Sequence, residues 1–169
     1  IKLINLIMAC DSQGGIAKNG TLPWPKNSKD LAWFKQKTQG CTVIMGSKTW
    51  NDPFMPNPLP QRRNVVVTSN PDANPGADEY ITSNLIQEIL RIEQEHSRKD
   101  RPVWIIGGAN LVEQTEDIFD AVYLTIMENS YKCDTFIPLK QILRHYPEVA
   151  SQSQEGMTIK ILEKFNTGK

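Results

Sequence analysis

Histidine is almost missing from this sequence: His96 and His145 are the only two in 169 residues. Each sits among polar neighbours and reads as solvated surface. A Ser-His-Asp or Cys-His nucleophile system is therefore poorly supported, and no metal-ligand spacing is visible, so no metal is expected. Cysteine is scarce as well. Cys10, Cys41 and Cys133 form no C-x-x-C and cannot all pair, which fits reduced thiols in a cytoplasm, each a small core hydrophobe. Neither sign of charge predominates, with 19 basic and 19 acidic residues. That balance argues against a nucleic-acid or membrane-surface role driven by bulk charge. No apolar run approaches the ~20 residues that a membrane span needs. The stretch INLIMAC ending at Cys10 is too short for a signal segment, contains Asn5 and lacks a basic flank, so it is not expected to be a lipoprotein leader.

What is present is an alternation. Apolar, β-rich runs occur at Leu3–Cys10, Cys41–Met45, Asn64–Thr68, Val103–Ile106, Ala121–Met127 and Thr158–Phe165. Between them lie helical patterns at Ser28–Lys37, just after Gly46, at Asn84–Glu95 and at Ala109–Thr115. VIM, VVV and VWII are continuously apolar, as in strands covered on both faces. This predicts one α/β domain over residues 1–169: a mixed, mostly parallel twisted β-sheet flanked by about four helices. AVYLTIM and MTIKILEKF, with no helix pattern between them, are expected to pair antiparallel. The prolines at 53, 56, 58 and 60 and the NPDANPG segment read as loops rather than linkers.

Two strand-to-helix junctions carry glycine, TVIMGSKTW and VWIIGGANLVEQ. A strand ending in glycine and opening into a helix presents free N–H groups to an anion, and ligands gather beyond the carboxyl ends of parallel strands. The plainer account is that glycine permits a tight turn and close packing. A P-loop fails on spacing, because Ser47 and Thr42 stand where its glycines belong, and GGAN offers no G-x-G-x-x-G.

LPWPKNSKDLAWFKQKT, from Leu22 to Thr38, places an acid beside Leu31, Trp33 and Phe34. With Asn27 as N-cap, Asp30 stands at N3, where a carboxylate favours the helix dipole by roughly 0.3–1 kcal/mol. Against a purely capping role, Asp30 and Phe34 are i and i+4 on one helix face. An acid above that ring is partly desolvated and calls for a ligand or partner that donates to it.

GIAKNGTLPWPKNSKDLAWFKQKT, VIMGSKTW, PLPQRRNVVVTS, IIGGANLVEQ, VYLT and CDTFIP occur in the order and spacing of the dihydrofolate reductases, which this sequence closely resembles to about residue 138. The resemblance implies NADPH-dependent reduction of 7,8-dihydrofolate to tetrahydrofolate, with hydride passing to pterin C6 and a proton to N5, in support of one-carbon and thymidylate metabolism. It implies a cytoplasmic monomer that binds antifolate inhibitors. Asp30 matches the pocket acid that faces the pterin N3 and 2-amino edge. Trp24 matches the residue that helps hold a water near that acid, Thr125 the hydroxyl that bonds it, and Leu22 the loop over the nicotinamide. Ile7, Met8, Phe34 and Ile106 match the pterin slot, Phe54 and Leu59 the benzoyl contacts, and Arg62 the arginine that forks onto the substrate's glutamate. Cofactor positions are matched by Ala9, Ile16, Gly46, Ser47, Lys48, Thr49, Thr68, Ser69, Gly107, Gly108, Ala109, Asn110 and Leu111, and the Gly107–Gly108 peptide is cis in the family.

The sequence also departs from the family. Ala17 stands where glycine is common, Gln61 replaces a glycine or lysine, and Val112 replaces a tyrosine of bacterial members. Ser47 and Asn110 are neutral where basic residues often meet the cofactor's adenosine end, leaving Lys48, Thr68 and Ser69 for a 2′-phosphate. The proline loop after Trp50 is longer than in compact bacterial members. Two rival readings are a riboflavin-pathway reductase, not expected to carry LPW with Asp30 and Phe34, and a folate- or nucleotide-binding protein without turnover.

Overall fold

A computed structural model of the chain describes residues 3–25, 27–53 and 55–164. Its framework is an eight-stranded sheet of order β5-β4-β3-β6-β1-β7-β10-β9. β1 (Ile4–Cys10) lies at the centre, paired parallel with β6 (Val103–Ile105) and β7 (Ala121–Met127). β3 (Thr42–Gly46), β4 (Arg63–Val67) and β5 (Glu79–Ile81) extend one side, all parallel. On the other side β10 (Met157–Glu163) runs antiparallel to β7, and β9 (Glu148–Gln154) closes the edge. The sheet is thus mixed and mostly parallel, as the alternation and the terminal pair predict.

The central strands are apolar on both faces because both faces are covered. Ile4, Leu6, Ile44, Val65, Ile105 and Val122 lie in one buried cluster, whereas Ile7, Val43, Met45, Val66, Trp104 and Ile106 lie in a second. Fully burying such a side chain contributes ~1.5–3 kcal/mol. The helices α1 (Ser28–Thr38), α2 (Ser47–Trp50), α3 (Leu85–His96) and α4 (Ala109–Thr115) follow the sequence patterns closely. Near the sheet's edge, Glu79 of β5 accepts from Arg63 of β4 and from Arg91 of α3. Burial pushes the Glu79 carboxyl up, but the two guanidinium groups outweigh it and hold it below its ordinary value.

The segment between β7 and β10 departs from expectation. It contains a helix, α5 (Leu139–His145), of which only Ile142 is fully buried. Two turns with a single buried position leave the helical period too faint to stand out from its polar flanks. A small second sheet, β2 (Gly15–Ala17) with β8 (Thr135–Phe136), also escapes the sequence reading. Phe165, placed at the end of the last predicted strand, lies outside the described residues.

Candidate active site

The carboxyl ends of β3 and β6 meet at their glycine junctions. Gly46 N–H donates to the Gly107 carbonyl at 2.8 Å, and Ile106 N–H donates to Ile44. A Cβ added at Gly46 would lie 3.8 Å from Gly108 N, so the two turns are in direct contact. The Gly107–Gly108 peptide is cis. Gly107 has φ +116, a backbone conformation that strains any side chain, and a Cβ there would also press within 2.9 Å of Met8 Cε. Thr49 Oγ1 faces both glycines, 3.6 and 3.5 Å from their Cβ positions. Neither α2 nor α4 has a side-chain cap, so the N–H groups of their first turns have no side-chain acceptor. Of the remaining cofactor positions, Ser47 and Ala109 are half-buried, while Lys48, Ser69 and Asn110 are exposed. Thr68 Oγ1 accepts from Asn70 N and Asn74 Nδ2 and keeps its own proton to donate. Leu111 places its side chain in the core, and Val112 is fully buried there.

Beside this junction, α1 presents Asp30. Asn27 Oδ1 accepts from the N–H groups of Lys29 and Asp30, both at 3.0 Å, so Asn27 is the N-cap that the sequence suggests. The Asp30 carboxylate turns toward β7. It accepts from the Thr125 hydroxyl of β7, a side chain that is 2% exposed. Burial pushes the Asp30 carboxyl above its ordinary value, and the Thr125 hydrogen bond opposes that in part. One turn on, Phe34 packs with Trp33 against Ile7, Leu59 and Ile106. Met8 packs against the opposite cluster, because alternation along β1 turns it toward Gly107. Trp24 is buried with Met127, Met157 and Ile159, Ala9 packs beside it, Leu22 is exposed, and Ile16 lies half-buried against the central core. Phe54 lies outside the described residues.

Arg62 is held before any ligand arrives. Its Nε donates to Pro60 O at 2.9 Å and its Nη1 to Thr38 Oγ1 at 3.0 Å, with the guanidinium carbon 5.9 Å from the Phe34 ring centroid. The loop that carries it is clamped by Asn64, fully buried, whose side chain accepts from Leu59 N and donates to the carbonyls of Leu59 and Arg62. Sequence reasoning placed Asn64 only as a strand residue. Its one signal was an amide at the mouth of an otherwise apolar run.

Asp11 was missed entirely. The carboxylate is fully buried at the end of β1 and takes four donors: Gln13 N, Gly15 N, Tyr131 N and the Cys133 thiol. Burial pushes its carboxyl up, but the three backbone N–H groups and the thiol outweigh this and hold it below its ordinary value. The three cysteines are free; Cys10 is buried and its thiol is pushed up to about 12, chiefly by burial.

Comparison with known proteins gives one consistent answer. A family model described as dihydrofolate reductase matches residues 3–163. Dihydrofolate reductase type 8 of Escherichia coli is 32% identical over 148 residues, covering 86% of each chain. The dihydrofolate reductase of Mus musculus is 30% identical, covering 95% of this chain and 94% of its own. Among solved structures, the Enterococcus faecalis dihydrofolate reductase complexed with NADP(H) and RAB-propyl superposes with a TM-score of 0.79 at 28% identity, over 97% of both chains.

Proposed function

Because the chain belongs to the dihydrofolate reductase family, a family of oxidoreductases that reduce dihydrofolate, we propose that it takes its hydride from NADPH and that Asp30 binds and activates the pterin. One observation carries the reading: a half-buried carboxylate on the first turn of α1, bonded to Thr125 and one helical turn before Phe34, which packs against the apolar cluster of Ile7, Leu59 and Ile106. Without a ligand such an acid is a stability defect. With a flat ring that offers two adjacent N–H donors, its two oxygens are both used.

The chain's residues fit the cofactor. Glycine at 46, 107 and 108 leaves the backbone of the two junctions bare, as close approach of a pyrophosphate requires; Thr49 Oγ1 lies beside Gly107 and Gly108, and Lys48 and Ser69 are exposed for further contacts. When bound, NADPH supplies the hydride. Everything else is positioning and electrostatics by the protein. Asp30 holds the pterin N3 and 2-amino edge, and its raised proton affinity favours protonation at N5. Thr125 fixes the orientation of that carboxylate. Ile7, Phe34 and Ile106 exclude water from the ring, with Leu22 and Trp24 covering the open side. Arg62, already aimed by Pro60 and Thr38, pairs with the glutamate carboxylate of the substrate. Antifolates compete for the same slot.

The test is absorbance loss at about 340 nm with NADPH and dihydrofolate, a wavelength at which reduced nicotinamide absorbs. NADPH should be consumed only when dihydrofolate is present, and a chelator should change nothing. Consumption with a ribosylamino-pyrimidine instead, or tight binding of both ligands without turnover, would contradict the proposal.

A further inference from the structure

Asp11 serves more than the turn it sits in. An aspartate that only shapes a turn uses one side-chain oxygen on backbone N–H groups two or so residues ahead. Oδ1 of Asp11 does this, accepting from Gln13 N at 2.9 Å and Gly15 N at 2.8 Å. Oδ2, which an ordinary turn would leave to water, is buried as well. It crosses to the loop after β7 and accepts from Tyr131 N at 2.9 Å and Cys133 Sγ at 3.4 Å.

Two of these donors lie at the start of one functional segment; the other two lie in the loop after β7, where Cys133 abuts Gly15 and Tyr131 meets the segment's far end. Gly15 immediately precedes Ile16 and Ala17. Tyr131 sets its ring edge-on to Trp24, with centroids 5.8 Å apart and planes inclined by 64°. The stretch from Gly15 to Trp24 includes Leu22, on the loop that the functional reading sets over the nicotinamide, with Ile16 at a cofactor position and Trp24 at the open side of the pterin. One of its ends is bonded to Oδ1; the other leans on a residue bonded to Oδ2. The middle of the segment is held separately, by the two-pair β2–β8 ladder, by Asp134 N–H donating to Ala17 O at 2.9 Å and by Asn19 N–H donating to Asp134 Oδ2 at 2.8 Å, whereas Asp11 holds its root. Contact at the root is tight, since a Cβ at Gly15 would meet Cys133 Cβ at 2.4 Å and Asp11 Oδ1 at 3.1 Å.

We propose that Asp11 is a positioning residue for hydride transfer: a single buried carboxylate that fixes both ends of the segment closing over the nicotinamide. The proposal rests on the functional reading above, and its test separates the two. Asp11→Asn retains one acceptor oxygen; whichever way the amide turns, one pair of donors then faces an NH2 group. In the protein without ligands, amide exchange at Gly15 and Tyr131 should accelerate by about tenfold or more, the loss of a buried hydrogen bond. Single-turnover hydride transfer should slow by roughly tenfold, because the cover is misplaced, while the dihydrofolate dissociation constant moves less than about twofold. A folded Asp11→Asn protein that transfers hydride at the wild-type rate overturns the proposal and leaves Asp11 a fold residue. If that variant does not fold, Cys133→Ala removes only the longest of the four bonds. It should slow hydride transfer about two- to threefold, and a wild-type rate would overturn the proposal equally. A wild-type protein without turnover would sink the functional reading instead. Exchange alone then decides the tie, and unchanged protection of Tyr131 in Asp11→Asn overturns it.

Discussion

At Asp30 the demands of folding and of function oppose each other, and pH separates them. Its carboxyl takes up protons more readily in the folded chain than in the unfolded one, chiefly through burial, with Thr125 opposing. Ionisation therefore costs the folded state stability. That cost is absent below the unfolded value of about 3.8 and reaches its full size once pH exceeds the folded value. Asp30→Asn should accordingly raise Tm at neutral pH, with the gain vanishing in acid, where both proteins are uncharged at that position. Hydride transfer should fall by roughly 10²-fold or more at neutral pH. The deficit should shrink as pH falls, because dihydrofolate then arrives already protonated at N5. Thermal melts and kcat/KM against pH, run on both proteins, check the two halves together. Unchanged melts and rates would return Asp30 to the role of an N3 cap. Asp30 was legible in the sequence because an acid at i shares a helix face with Phe34 at i+4. Asp11 and Asn64 were not: each is a polar residue at the end of a strand, and only the folded chain shows that its partners lie across loops.

Elements were legible in proportion to what they bury. β1, β3, β4, β6 and β7 were read within a residue or two, because continuous apolar runs have few alternatives. α1 showed its cap and α3 its period. β5, β2 and β8 have three, three and two residues, too few to establish alternation. α5 was mistaken for connecting chain because Ile142 is its one buried position. Among the short elements, α2 carries a prediction. Its first residue, Ser47, follows Gly46 at the candidate cofactor junction, and with Asn110 it leaves that end of the site without the two basic residues common in the family. NADPH should therefore be preferred over NADH less strongly than in members with both. Ser47→Arg should tighten NADPH by roughly tenfold, the worth of a charge-assisted pair, and leave NADH nearly unchanged. Titrations of each cofactor by protein fluorescence measure this; equal effects on both would show that position 47 does not face the 2′-phosphate.

Over the whole molecule the two sides of the sheet are unequal. The glycine junctions of β3 and β6, and Thr125 on β7, lie along the parallel strands, whereas the antiparallel side ends in β9, whose side chains are exposed on both faces except for the half-buried Gln154. Its sequence, EVASQSQ, explains why no strand was expected there: with nothing buried, nothing alternates. The same composition decides how the molecule behaves in company. An outermost strand offers a row of unpaired backbone groups, and what keeps other chains from adding to it is the character of its side chains. Here serine and glutamine dominate, Glu148 is engaged by Lys160, and Val149 is the one large apolar residue, 54% exposed. Such an edge gives a second copy no dry surface to interlock with. Replacing Ser151 and Ser153 together with isoleucine should leave the melting temperature within about 2 °C, as surface changes do. Turbidity should nevertheless appear well below that melting temperature and grow with protein concentration. An edge that contributes nothing to the core is, in this chain, what keeps a concentrated solution clear.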